Sequence, residues 1–328
     1  MSVKVWIGNE VGNKGEFLRQ KNKFTTPFGS GRGELPVEAN RYRLLWAPVC
    51  PWAHRAVIVR KLLGLDKVIT LGTADPVRPD IPRSDWAFTD DENNVDPALK
   101  IKYISDVYFN ADPEYRGRFT VPVMVDLKTK KAVNNDYFNL TRYFETVWKP
   151  YHKENAPDLY PENLREEIDS LNGILFQEVN NGVYQAGFAR SNEAYENAYD
   201  TVFSRLDILE QELRNKRFLL GDYITESDVR LYVTLARFDT AYYNGFKVNR
   251  NRLCDYKNLW AYARDLYQTP GFGDSTDFTA IKKHYHLCCL TWNKHKILPK
   301  GPDLSIWDIP HERACLSSDP NNRWESAL

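Results

Sequence analysis

The first half of the chain switches repeatedly between strand-like and helix-like patterns. Tyr42–Trp46 is a short β-type run, broken by Ala47, Pro48 and Val49. Residues 52–63 have helical period, with Pro51 pre-organised for the first helical position and Gly64 at the end. A second strand is predicted over 68–71. Residues 73–82, rich in Pro and Asp, then open a loop that runs toward residue 100, longer than connections usually are. Trp86 and Phe88 lie inside it, and two aromatics in such a loop imply that they cover something. A helix is predicted over 101–111 and a strand over 120–126. A hairpin turn at Lys128, Thr129 and Lys130 leads into a strand over 131–133, and a helix follows from Asp136 through Trp148. The order β, α, β, then α, β, β, α is that of the thioredoxin fold. Val121 and Pro122 fall at the start of its third strand, where that fold holds a cis proline facing the first helix.

From Pro161 to Tyr285 almost everything has helical period, most clearly over 164–179, 192–214, 226–242 and 259–268. Thr225-Glu226-Ser227-Asp228 opens one of these helices with a hydroxyl cap and a carboxylate three residues later, a capping-box variant. The fold class expected is therefore an α/β thioredoxin-like N-terminal domain followed by an all-α C-terminal domain. Residues 1–40, with the loop composition of Thr25-Thr26-Pro27-Phe28-Gly29-Ser30-Gly31, read as an N-terminal arm. The thioredoxin-like domain is expected over 41–150, the helical domain over 158–312 and a C-terminal tail over 313–328.

Composition narrows the partners. Lys+Arg and Asp+Glu are both 44, so the formal net charge is zero, which argues against nucleic acid or an anionic membrane as the main partner. The first ten residues lack the apolar core of a signal peptide and no long apolar run follows, so a cytoplasmic protein is expected. Cysteines stand at 50, 254, 288, 289 and 315, an odd count that does not suggest a disulfide framework. Cys288 and Cys289 are adjacent and lack zinc-knuckle spacing. His284 and His286 make a metal site thinkable, but these side chains read as helix packing.

The chemistry is concentrated in Cys50-Pro51-Trp52-Ala53-His54-Arg55. A cysteine between a strand and a helix start faces unpaired backbone N–H groups and the positive end of the helix dipole, which favour thiolate over thiol. A lone cysteine is most often a small buried hydrophobe, yet that role needs neither a helix start nor a proline after it. Cys50 is therefore the candidate nucleophile. Ala53 stands where a dithiol redox protein carries its second cysteine, so a mixed disulfide on Cys50 must be resolved by another thiol.

The two-domain plan is that of the cytosolic glutathione transferases, and the motifs resemble one group within them. The Cys50 to Arg55 stretch is similar to the signature of the glutathionyl-hydroquinone reductases, or xi class. So are Ala111-Asp112-Pro113, the run from Gly117 to Val123, the run from Asn180 to Ala189, Asp228-Val229-Arg230-Leu231, Arg237-Phe238-Asp239 and His284-Tyr285. The likeness spans residues 15–312. It implies glutathione as cosubstrate, an aromatic second substrate, no metal, no nucleotide and a homodimer. Cys50 would be the nucleophile; Trp86, Arg118 and Val121 would hold glutathione, Val121 through its backbone. Tyr184 and Tyr285 would act on the aromatic substrate, with Tyr242 beside them, although a tyrosine on a helix ordinarily just packs with its hydroxyl hydrogen-bonded. One departure stands out: where the family carries Glu-Ser for the γ-glutamyl end of glutathione, this chain has Asp136-Tyr137. Two other activities stay open, a transferase using glutathione or a different small thiol, and a glutathione-binding protein without turnover.

Overall fold

The computed structural model describes residues 10–79, 85–89, 92–288 and 293–324. Residues 1–9 of the expected arm, parts of the long loop and Cys289 lie outside the described residues. The described residues form two compact units, one lying within 20–156 and the other made of 10–19 with those from 157 onward. The segment expected as a single arm over 1–40 is thus divided, with 10–19 belonging to the helical unit.

The first unit is a four-stranded sheet in the order β2-β1-β3-β4. Strand β1 (Tyr42–Trp46) is buried along its whole length, as expected for a central strand. It pairs in parallel with β2 (Ile69–Thr73) and antiparallel with β3 (Val123–Asp126), which pairs with β4 (Lys131–Asn134). The third strand starts later than its apolar run because Pro122 has no N–H to give a ladder. Helix α1 (Pro51–Leu62) is buried at every residue except Lys61. Two of its arginines are held by carbonyls, Arg60 donating to Ile69 at 2.7 Å and Arg55 to Tyr137 at 2.5 Å. Gly64 follows with φ of 76°, and a Cβ there would meet the Lys153 side chain at 2.6 Å. Helix α2 (Ser105–Ala111) packs on β4, and α3 (Leu140–Glu145) on α1.

Two helices start later than their apolar period predicts. The helix predicted from 101 begins at Ser105, and the one predicted over 136–148 is only α3, opening four residues after Asp136. Around Asp136 short side chains compete with the helix. Asn134 Oδ1 accepts from the Asp136 N–H at 3.0 Å, and the Asp136 carboxylate accepts from the Asn139 amide at 2.8 Å.

The second unit is helical: α4 (Arg165–Leu175), α5 (Gly182–Phe188), α6 (Asn192–Glu212), α7 (Glu226–Arg237), the single turn α8 (Tyr243–Gly245), α9 (Lys257–Tyr267) and α10 (Phe278–Leu287). Helices α4 and α7 each run on into a widened π turn, Phe176–Asn180 and Phe238–Tyr242. Such turns recur at functional sites. Helix α7 is wholly buried and starts with the expected capping box of Thr225 and Asp228. The C-terminal segment is fastened to this unit through Asp265, which faces buried Arg217 at 2.9 Å and Arg323 at 3.3 Å. Among the described residues no helix is long and apolar enough to cross a membrane.

Candidate active site

Cys50 is the N-cap residue of α1, with extended backbone, φ −83° and ψ 117°. Its N–H donates to Ala47 O at 2.9 Å, closing the turn out of β1, and its carbonyl accepts the His54 N–H at 3.0 Å. The side chain is left to other work: Sγ donates to the carbonyl of Val121 at 3.3 Å, across the start of β3, and the Val121–Pro122 bond is cis. Two residues 71 apart in sequence are thus placed side by side, with the thiol only partly buried.

The other candidates of this unit sit on three elements. Trp86 is buried, its N–H bound to its neighbour Asp85 at 2.8 Å and its ring covered by the Arg78 guanidinium at 4.1 Å. The same Asp85 oxygen accepts the Ser105 N–H at the start of α2, so the long loop is pinned around the tryptophan. Arg118 is half-buried, and its carbonyl accepts the Tyr115 hydroxyl at 2.9 Å. The N–H groups of Asp136 and Tyr137 are both used internally, by Asn134 Oδ1 and by Asn135 O at 2.8 Å. The Tyr137 ring lies on Trp52 with centroids 5.0 Å apart, and the Arg55 guanidinium is within 6 Å of both rings. The structure therefore differs from a helix start offering backbone donors at Asp136-Tyr137.

In the helical unit the three candidate tyrosines converge. Tyr184 Oη is 2.6 Å from Tyr285 Oη and 3.5 Å from Tyr242 Oη, and Tyr242 and Tyr285 are 3.4 Å apart. Tyr184 comes from α5, Tyr242 from the π turn after α7 and Tyr285 from α10. Tyr242 and Tyr285 are buried, whereas Tyr184 is half-exposed. Burial, then the neighbouring phenols of Tyr184 and Tyr242, push Tyr285 well above the ordinary phenol range, against the opposing pull of Arg237. Phe246 backs all three rings at centroid distances of 5.2 to 5.7 Å. A Cβ on Gly187 would strike it at 2.3 Å. His286 spends its Nε2 on Thr240 O, 3.1 Å away, and the His284 ring lies edge-on to Tyr285. Among the described residues no cluster of three or more His, Cys, Asp or Glu side chains is arranged to hold a metal.

Residues that the motifs did not single out also contribute. Arg55 and Trp52 belong to the Cys50 stretch and so fall on α1, but their contact with Tyr137 has no local signal. Phe246 has a local partner in Tyr242, four residues before it, but meets Tyr184 and Tyr285 only through the fold, and Arg19 carries no local signal at all.

A thioredoxin-like unit with a helix-start cysteine against a cis X–Pro bond, in one chain with a helical unit bearing a phenol cluster, is the arrangement of a glutathione transferase. Residues 49–147 match the family model "Glutathione S-transferase, N-terminal domain" and residues 192–265 match "Glutathione S-transferase, C-terminal domain". The glutathionyl-hydroquinone reductase YqjG of Escherichia coli is 39% identical over 308 residues, covering 91% of this chain and 92% of that protein. Its glutathione-bound structure superposes with a TM-score of 0.80 at 40% identity, covering 87% of this chain and 92% of that one. The glutathionyl-hydroquinone reductase PcpF of Sphingobium chlorophenolicum is 34% identical, covering 88% of this chain and 90% of its own length. The glutathione transferase Xi structure from Phanerochaete chrysosporium has a TM-score of 0.86 at 36% identity, covering 94% of this chain and 99% of that one. The chain belongs to the glutathione S-transferase family, in its group of glutathionyl-hydroquinone reductases, the xi class.

Proposed function

We propose that the protein reduces S-glutathionyl-hydroquinones to hydroquinones at the expense of glutathione, with Cys50 as nucleophile. The observation that carries this reading is the placement of Cys50 as the cap of α1, its Sγ 3.3 Å from the Val121 carbonyl. The first N–H groups of α1 lack intrahelical partners and favour negative charge on that sulfur. In the reaction the Cys50 thiolate attacks the glutathione sulfur of the substrate. The carbon–sulfur bond breaks with its electron pair on the ring carbon, which takes a proton, and Cys50 is left as a mixed disulfide with glutathione. A second glutathione thiolate attacks that disulfide, releasing oxidised glutathione and restoring Cys50. A phenol of the trio of Tyr184, Tyr242 and Tyr285 supplies the proton or binds the substrate's phenolic oxygens. Trp86, Arg118 and the Val121 backbone are assigned to glutathione. The reading takes the protein as a cytoplasmic homodimer; among the described residues Cys50, Cys254, Cys288 and Cys315 stand as thiols, which suits a reducing compartment.

Incubation with oxidised glutathione should add a single glutathionyl group, mapped by intact mass and peptide analysis to Cys50. Modification centred on Cys254, Cys288, Cys289 or Cys315 would move the chemistry away from α1.

A second reading concerns the thiol alone. The internal use of both N–H groups at Asp136 and Tyr137, and of the Asp136 carboxylate by Asn139, leaves a site poorly furnished for an α-amino acid end. We therefore expect weak glutathione binding and about tenfold tighter binding in Tyr137→Ser, the worth of roughly one charge-assisted hydrogen bond. Titration calorimetry measures it; weaker binding in the variant would make the tyrosine a working ligand. Rates with glutathione, γ-glutamylcysteine and bacillithiol as reductants of one glutathionyl-hydroquinone then rank the physiological thiol.

A further inference from the structure

The segment 10–19 is a small hairpin tied to the α5–α6 junction. Leu18 donates to Glu10 O at 2.8 Å and Gly12 to Glu16 O at 2.9 Å, closing the hairpin. The Arg190 N–H then binds Gly15 O at 2.8 Å, and the Ser191 hydroxyl binds Lys14 O at 2.6 Å. Gly15 turns with φ of 85°, and a Cβ there would stand 3.0 Å from the backbone of Arg190 and Ser191. Anchored in this way, the chain alternates outward from the turn: Phe17 is buried, Leu18 is half-exposed, and Arg19 turns in again. Arg19 Nε donates to Asn181 Oδ1 at 2.7 Å, immediately before α5. Its guanidinium lies 5.0 Å from the Tyr184 ring centroid and 5.3 Å from that of Phe17.

We propose that Arg19 is a positioning residue for the phenol trio: it fixes the start of α5 and the Tyr184 ring together, and its charge makes Tyr184 the phenol that releases its proton. The catalytic consequence rests on the reductase reading above; the contact itself does not. A cation held against the ring stabilises the phenolate more than the phenol, and partial burial keeps water from screening it. Other groups also face the trio. Tyr242 and Tyr285 offer neutral hydroxyls, Phe188 and Phe246 are apolar, His284 faces Tyr285, and the charge of Arg237 is felt at Tyr285. Tyr184 is also the one of the three with access to solvent, from which it can be reprotonated after each turnover. In the proposed reaction its proton goes to the ring carbon that has just lost sulfur, and the phenolate left behind is held by Arg19 and by the Tyr285 hydroxyl.

The test separates the contact from the reaction. Near-ultraviolet tyrosinate absorbance is titrated in wild type and in Tyr184→Phe, and their difference isolates Tyr184. The same pair is then compared in an Arg19→Met background, with thermal unfolding as the check on folding. The midpoint should rise by about one pH unit without the charge and return most of the way in Arg19→Lys. An unchanged midpoint, or equal behaviour of the Lys and Met variants, overturns the proposal. If Arg19→Met does not fold, Arg19→Gln, which keeps the hydrogen bond to Asn181 without the charge, makes the same comparison. With S-glutathionyl-hydroquinone as substrate, kcat should fall about tenfold in Arg19→Met and its alkaline limb should move to higher pH, with KM little changed. Reduction of a small disulfide by Cys50 should be unaffected. Absence of turnover in the wild type would overturn the reductase reading, while the absorbance titration would still decide the role of Arg19.

Discussion

Cys50→Ser is expected to lose at least about a thousandfold in turnover of S-glutathionyl-hydroquinone while keeping the fold. The hydroxyl is nearly isosteric with the thiol, and the N-cap position of α1 accepts serine readily, so the helix start should not suffer. What changes is the nucleophile. A serine oxygen at neutral pH is almost wholly protonated, and the Val121 carbonyl that faces this side chain cannot take its proton. The variant should therefore bind substrate and stop before the first bond exchange, which a binding measurement beside a single-turnover assay will show. Retention of more than a few per cent of the rate would sink the nucleophile assignment. The other cysteines provide the control. Cys254 has its thiol pushed up by burial and by the nearby Asp239 carboxylate, the opposite of what an attacking thiol needs. Its replacement, and that of Cys288, Cys289 or Cys315, should leave the rate nearly intact. Loss of turnover in one of them, with folding preserved, would instead reveal a distant resolving thiol.

What could be read from the chain follows from the range over which each feature is determined. The start of α1 is local: Pro51 at the first helical position, Cys50 before it and Gly64 after it were all visible, and each occupies that place. The capping box at Thr225 and Asp228 is equally short-range. The misplaced start of α3 was not, because Asn134, Asp136 and Asn139 spend their side chains on nearby backbone and on one another, and helical period carries no trace of that competition. The π turns at Phe176–Asn180 and Phe238–Tyr242 insert a residue into an otherwise unbroken apolar pattern, so they read as continuous helix while re-aiming Tyr242. The phenol trio joins residues 58, 101 and 43 apart, and Arg19 reaches Asn181 across 162. Such pairings are properties of the packed unit. The motifs supplied the three tyrosines through resemblance, but only the fold supplies the arginine beside them.

The largest loss of stability is expected from Asp228→Ala. This carboxylate is fully buried at the start of α7 and accepts from four donors: the Leu219 N–H at 3.0 Å, the Thr225 N–H at 2.8 Å, the Thr225 hydroxyl at 3.0 Å and the Tyr262 hydroxyl at 2.8 Å. It thereby ties the chain before α7, the helix itself and α9 into one knot. Alanine removes the acceptor and strands the donors where water is scarce. Each stranded donor costs about 1 to 3 kcal/mol, but partial collapse and an entering water recover some of it, so the net loss should be about 4 kcal/mol. For a unit of this size that corresponds to a fall of roughly 10 °C in Tm. Asp228→Asn separates the hydrogen bonds from the shape. It keeps one acceptor oxygen and sets an NH2 group against donors on the other side, so it should lose about half as much. Calorimetric unfolding of the three proteins decides it. A loss below about 1 kcal/mol in Asp228→Ala would mean that the four bonds are replaced by solvent at no cost, and that α7 is held by its apolar faces alone.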